Sequence, residues 1–180
     1  MLRNFSFFLF LSLFVLGCGD NDRGDQLFQV VYDPVSITIP AGRPAFATLV
    51  VADPSIETGI LRAIQESETD IEAVDEISGR FARLVSVSGE DFRELERLEL
   101  RLCPVGQNLG CDQFDLLFSV DDLFGRRQQV VNLNPGLKNF RNLLLGNEQV
   151  RFELVITPGQ TTTRSIEARL EWAVAGVGGL

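Results

Sequence analysis

The sequence predicts an all-β protein, an antiparallel β-sandwich of about eight strands with two short peripheral helices. Three observations support this fold class. Apolar and polar residues alternate with a period of two in several segments, turn-forming residues separate those segments, and no sustained alternation of strand and helix patterns is present. The length of 180 residues corresponds to roughly one domain.

The first half of the chain contains three candidate strands. Leu27–Tyr32 is rich in β-branched and aromatic residues, and Val35–Ile39 alternates cleanly. Ala45–Val51 is almost entirely apolar, which predicts a central strand or one covered on both faces. Turns are expected at Asp33-Pro34 and at Pro40-Ala41-Gly42, which separate the three segments.

Two short helices are expected, each beginning at a proline. Asp53-Pro54 and Asn134-Pro135 both offer an N-cap residue followed by proline at the first helical position. Gly146 is expected to end the second helix. The apolar residues that would share one face are Ile56, Ile60, Leu61 and Ile64 in the first helix and Leu137, Phe140 and Leu144 in the second.

The remaining strands are predicted mainly in the second half of the chain. They are Phe81–Val87, Glu94–Cys103, Phe114–Val120, Gln128–Leu133, Gln149–Thr157 and Thr163–Ala175. The last two show the clearest alternation, and Pro158-Gly159-Gln160 joins them as a hairpin loop. Trp172 alternates in phase with the apolar face of the final segment, so we expect it in the core.

The N-terminus has the features of a targeting segment. Arg3 is the only charge before Asp20, and the apolar run from Phe5 to Leu16 spans about 12 residues, whereas a membrane helix needs about 20. Such a run is typical of a secretory signal peptide. Val15-Leu16-Gly17-Cys18 follows, and it resembles the lipobox of bacterial lipoproteins. The resemblance implies that Cys18 is lipidated and becomes the mature N-terminus; the alternative is an ordinary secretory signal with an incidental cysteine.

The expected organisation is a signal peptide over 1–17, a lipidated flexible linker over 18–26 and a β-sandwich domain over 27–176. Gly19 follows the cysteine, and lipoproteins retained in the inner membrane often carry Asp there, so the resemblance implies the outer membrane. Asp20, Asp22 and Asp25 are similar to the acidic export signal of some surface lipoproteins. A solvated tether on a periplasm-facing protein explains the same three residues.

The cysteines are consistent with an oxidising compartment. With Cys18 lipidated, Cys103 and Cys111 remain as a pair separated by turn-forming residues, which predicts a structural disulfide. Leu98, Leu100 and Leu102 are expected to point inward. Cys103 would then lie on the outer face or at the rim, and the bridge would hold a surface loop.

Acidic residues are the only abundant chemically active type. Asp112, Asp115, Asp121 and Asp122 bracket one predicted strand and are weak candidates for a calcium site made by neighbouring loops. Carboxylates that solubilise those loops explain the pattern equally well. No cofactor is expected.

Composition excludes several classes of function. The chain has no His, which removes Ser-His-Asp triads and His-ligated metals. The net charge of −9 argues against nucleic-acid binding. Nucleophile and phosphate-loop motifs are missing. We therefore expect a non-enzymatic lipoprotein of the outer membrane or cell surface, a binding or scaffold module with an unidentified protein or glycan partner.

Two alternatives to this function remain open. One is an accessory protein that binds a glycan or, with the help of calcium, another ligand. The other is a hydrolase that uses carboxylates, which needs two acids at a fixed separation in a cleft. A concave cleft with facing acids favours the hydrolase, whereas flat polar faces favour the scaffold module.

Overall fold

The computed structural model describes residues 24–107 and 109–179, and within them the protein is built from nine strands and two short α-helices. The strands are β1 Asp25–Val31, β2 Val35–Ile39, β3 Leu49–Glu57, β4 Glu76–Ser86, β5 Leu95–Pro104, β6 Leu116–Val120, β7 Val130–Pro135, β8 Gln149–Pro158 and β9 Ile166–Gly178. The helices are α1 Ile60–Glu66 and α2 Arg141–Gly146, with single turns of 3-10 helix at Ile71–Ala73 and Gln113–Asp115. The all-β prediction is confirmed.

All nine strands belong to one curled, antiparallel sheet. Its strand order is β1-β9-β4-β7-β6-β5-β8-β3, and β2 pairs with β9 beside β1. β7 joins the two halves of the sheet because it pairs with β4 on one side and β6 on the other. The strand order therefore begins at β1 and β2 and ends at β3.

The alternation of the sequence decides which side chains form the core. In β9, Leu170, Trp172 and Val174 are buried, whereas Glu167 and Arg169 are exposed. Inward residues from both halves of the sheet contribute to one continuous hydrophobic cluster. Removing this apolar surface from water is the main force that holds the curled sheet together.

The first and last strands extend slightly beyond the expected domain limits of 27 and 176. β1 begins at Asp25, which pairs with Gly178 near the end of β9. Gly176 lies against the ring of Phe28, so the glycine-rich end of the chain is part of the packed sheet. The absence of a side chain is what allows this aromatic ring to lie on the strand.

The structure corrects four expectations about local elements. The last two strands do not form a hairpin across Pro158-Gly159-Gln160, because β8 pairs with β3 and β5, whereas β9 pairs with β1, β2 and β4. The apolar segment predicted as a central strand is instead an edge strand: β3 pairs only with β8, Val50 is exposed, and Phe46 just before the strand is 71% exposed. Asp53-Pro54 lies within β3, and α1 begins later, at Ile60. Asn134-Pro135 ends β7, and α2 begins only at Arg141.

Among the described residues, no helix is long and apolar enough to cross a membrane.

Candidate functional site

The two cysteines of the predicted bridge lie at disulfide distance. The sulfurs of Cys103 and Cys111 are 2.09 Å apart and their Cα atoms 5.4 Å. Their burial differs from expectation, because Cys103 is fully buried and Cys111 nearly so. At the end of the loop that joins them, Gly110 and Cys111 lie against Glu153 of β8.

A buried carboxylate fixes the end of that loop. Glu153 on β8 accepts a hydrogen bond from the Cys111 backbone N–H at 3.2 Å and another from Arg151 Nε at 2.6 Å. Gly110 has a φ of +80°, and a Cβ there would lie 2.6 Å from the Glu153 carboxylate. Glu153 is buried and is therefore a structural residue beneath the loop.

The four candidate calcium ligands are divided between the two ends of β6. Asp112 and Asp115 cap the short 3-10 helix before the strand, and Asp115 also pairs with Lys138 at 2.8 Å. Asp121 pairs with Arg97, and Asp122 pairs with Arg126 at 2.6 Å. Because capping N–H groups and cations engage these carboxylates, the arrangement does not resemble a calcium site.

The residues described here contain one cluster with metal-ligand spacing, but it does not offer a free ligand set. It consists of Cys103, Cys111 and Asp115. Sulfurs joined in a disulfide are not thiolates, and the thiolate is the form that binds a metal. Asp115 already has Lys138 and the cap as partners. We therefore assign this cluster to structure.

A cleft of about 570 Å³ lies between the first and last strands of the sheet order. We call it the Trp172 cleft. One lip is the turn between β1 and β2, residues 32–35, and the other is formed by β3 residues from Val51 to Glu57. Phe152 of β8 and Trp172 of β9 complete the lining. Volumes of this size are typical of small-molecule sites.

Stacked aromatic rings form the inner wall of the cleft. The rings of Tyr32 and Trp172 are 3.8 Å apart between centroids and inclined by 8°, and Phe152 lies 5.7 Å from Trp172. Strand pairing explains the stack: the Tyr32 backbone N–H donates to the Trp172 carbonyl oxygen and so extends the β1–β9 ladder. Trp172 is 1% exposed, which confirms the predicted core position of this residue.

Tyr32 connects the two lips. Its hydroxyl donates to the carbonyl oxygen of Thr58, the residue directly after β3, at 2.9 Å. Burial raises the pKa of this hydroxyl well above its ordinary value of about 10. The phenol is therefore a neutral donor that holds the β1–β2 turn against the end of β3.

Both lips carry carboxylates. Asp33 lies on the turn, and Asp53 and Glu57 lie on β3. Asp53 pairs in register with the buried Phe152, so its side chain is on the inner face of the sheet. Its Oδ1 also accepts a hydrogen bond from the Ser55 N–H at 3.1 Å. Within the eleven lining residues, Lys and Arg are both missing.

The sequence did not single out this cleft. Its lips come from segments predicted as a turn and as the start of a helix, and its wall comes from residues more than a hundred positions later. The Tyr-Asp-Pro turn after an apolar strand was the one local signal available. The proposed lipidation residue, Cys18, lies outside the described residues.

Comparison of the sequence with known protein families and with curated proteins finds no significant match.

Proposed function

We propose that the protein is a non-enzymatic lipoprotein of the outer membrane or cell surface that acts as a binding or scaffold module. The observation that carries this proposal is Val15-Leu16-Gly17-Cys18 directly after an apolar run of signal-peptide length. Stable anchoring requires about two acyl chains, since each buried CH₂ contributes about 0.8 kcal/mol. A lipidated Cys18 carrying several chains would meet that requirement.

The start of β1 supports a domain close to the membrane. Residues 19–24 separate Cys18 from Asp25, and six extended residues reach at most about 20 Å. β1 then runs from this attachment point toward Tyr32, so the cleft lies at the far end of the first strand. An anchored domain of this kind would present the cleft away from the lipid.

The cleft favours a second candidate function, an accessory ligand-binding protein. A scaffold needs only its outer surface, whereas a partly apolar cavity with polar groups at its rim is typical of a ligand site. The calcium-assisted form of this proposal has less support, because Asp115 and Asp122 already have cationic partners. The partly apolar cleft supports the form that binds an organic ligand.

Acids on both lips also bear on the hydrolase alternative. General acid catalysis by a carboxyl group at neutral pH depends on burial in an apolar pocket. Asp33, Asp53 and Glu57 are all exposed. Exposed carboxylates suit electrostatic attraction of a ligand better than proton transfer to a leaving group, so binding remains the function we propose.

The anchor is tested by labelling cells with a radioactive fatty acid. Wild-type protein should take up the label and fractionate with membranes, and Cys18→Ala should do neither, or should remain an uncleaved precursor. A variant with Cys103→Ala and Cys111→Ala is the matched control, since it loses two cysteines but keeps the lipobox. Unlabelled wild-type protein would overturn the lipoprotein proposal.

The binding role is tested by capture from detergent-solubilised outer membrane. Tagged wild-type protein should retain a specific protein or glycan that washes off a tag-only resin. Recovery of the bait alone, after cross-linking in intact cells, would contradict a scaffold function.

A further inference from the structure

The Trp172 cleft has a charge pattern that selects among ligands. This inference rests on the proposed ligand-binding function. Asp33 lines the cleft on one lip and Asp53 and Glu57 line it on the β3 lip, and the eleven lining residues include no cationic side chain. A ligand in the cleft would therefore meet carboxylates on two sides. Complementary charge at such a rim favours cations and repels anions.

The same cleft offers apolar contact below its rim. Val35, Val51 and Ile56 are half-buried and line the cleft together with the Tyr32–Trp172 stack. A ligand that covers these partly buried apolar side chains removes their remaining surface from water, and this lowers the free energy of the complex. A hydrated metal ion would not cover this surface, whereas an organic group would.

The negative net charge of the protein also favours binding of a cation. The chain carries 25 acidic and 16 basic residues. An acidic protein with acids concentrated at a concave site raises the local concentration of cations there. Attraction of this kind is screened by salt, so it predicts a measurable dependence on ionic strength.

We propose that the Trp172 cleft binds a small organic cation: an ammonium group between Asp33, Asp53 and Glu57, attached to an aromatic or alkyl body that lies against Val35, Val51 and Ile56. The cavity of about 570 Å³ has room for both parts of such a ligand.

Trp172 provides a direct readout, because it is the only tryptophan in the chain and lines the cleft. Membrane-purified, full-length protein in a non-ionic detergent is titrated with three probes of similar shape and equal carbon count: 4-phenylbutylammonium, 4-phenyl-1-butanol and 4-phenylbutanoate. Tryptophan fluorescence should change on titration. At low ionic strength the cation should bind tighter than the anion by about tenfold or more, and added salt should reduce that preference.

Neutral substitutions at the rim test where the charge effect originates. Asp53→Asn combined with Glu57→Gln removes two rim carboxylates while keeping their shape and the Ser55 contact. This variant should lose most of the preference for the cation. Glu66→Gln combined with Glu68→Gln is the control, because it removes two charges from exposed residues outside the cleft lining and should retain the preference.

Each result bears on a defined claim. Tighter binding of the anion or the alcohol, reported by Trp172, would overturn the ligand class and leave a ligand-binding cleft. If the rim variant and its control lost the preference for the cation equally, that preference would come from the net charge of the protein and not from the cleft. This result would also overturn the proposal. No response to the cation would overturn it as well, while the fatty-acid label and the membrane capture would still decide the proposed function separately.

Discussion

Gly79 is a position at which the core leaves almost no room for a side chain. A Cβ at this position of β4 would lie 2.5 Å from the ring of Phe118, which is fully buried in β6. The backbone of Gly79 does not require a left-handed conformation, so the conflict is purely steric. Phe118 has no empty volume to move into, because interiors are closely packed.

We therefore expect Gly79→Ala to lower the free energy of unfolding by about 1–3 kcal/mol, the usual range for an overpacked core. Urea titration followed by circular dichroism measures this change. Gly146→Ala is the matched control, since a Cβ there meets nothing within 4 Å and Gly146 ends α2 without a left-handed conformation. Equal stability of the two variants would mean that the ring of Phe118 does not lie where the structure places it.

Tyr32 is the one tyrosine in the chain, so its ionisation can be followed without interference. Its folded pKa is raised by burial, whereas the unfolded chain releases the phenol proton near pH 10. The folded state thus holds a proton that the unfolded state loses. This contribution to stability is complete below about pH 10 and is lost as the pH rises toward the folded pKa.

The expected result is that phenolate absorbance does not appear near pH 10 and emerges together with unfolding. Tyr32→Phe has no such proton, so its stability should lack this part of the alkaline decline. Phenolate formation near pH 10 in a protein that keeps its native circular dichroism would contradict the buried position of Tyr32.

At the level of elements, the disulfide loop has a larger structural role than its sequence suggested. Alternation in β5 correctly placed Leu98, Leu100 and Leu102 inward. It could not show that Gly110 and Cys111 lie against Glu153 of β8, since that arrangement depends on the long-range hydrogen bond from the Cys111 N–H to the Glu153 carboxylate. The bridge therefore ties the end of this loop to β5.

Reduction of the bridge should destabilise the fold by about 2.5 kcal/mol, the chain-entropy estimate for a loop of this size. For a domain of this length that corresponds to a melting temperature lower by about 5–10 °C. The variant with Cys103→Ala and Cys111→Ala is the control and should melt at one temperature with or without reductant. The pairing would be refuted if reductant did not change the melting temperature of the wild-type protein and if the denatured protein showed free thiols.

Helix prediction failed at two positions for one physical reason. Asp53-Pro54 and Asn134-Pro135 read as helix starts, but proline is equally compatible with a bulge or the end of a strand. Pro54 lies in the irregular stretch of β3, where the register shifts between Asp53 and Ile56, and Pro135 is the last residue of β7. In contrast, the existence of β2, β8 and β9 was predicted closely, because apolar and polar residues alternate in the sequence of each segment.

At the level of the whole molecule, the fold class was predictable and the cleft was not. The all-β class follows from local alternation, which single segments carry. The cleft depends on how far the sheet curls and on which strands remain at its ends, and these are long-range properties. The apolar sequence of β3 predicted a buried central strand, whereas β3 is an edge strand that forms one lip of the cleft.

The acidic residues of the linker predict on which side of the outer membrane the anchored domain lies. If Asp20, Asp22 and Asp25 form an export signal, added protease should degrade the protein on intact cells. Replacing all three with Ala should then protect it, although Asp25 also begins β1 and the fold of the variant must be checked by circular dichroism. Equal exposure of wild type and variant would show that these acids serve only as a tether.

The intact mass of membrane-purified protein under non-reducing conditions is the sharpest test of a folded β-domain held to a membrane by lipid on Cys18. We expect the mass of residues 18–180 plus a diacylglyceryl group, with any further acyl chain on the new N-terminus. We also expect a mass lower by the hydrogens lost when Cys103 and Cys111 join. A mass equal to an unmodified chain, cleaved anywhere or uncleaved, would contradict this expectation.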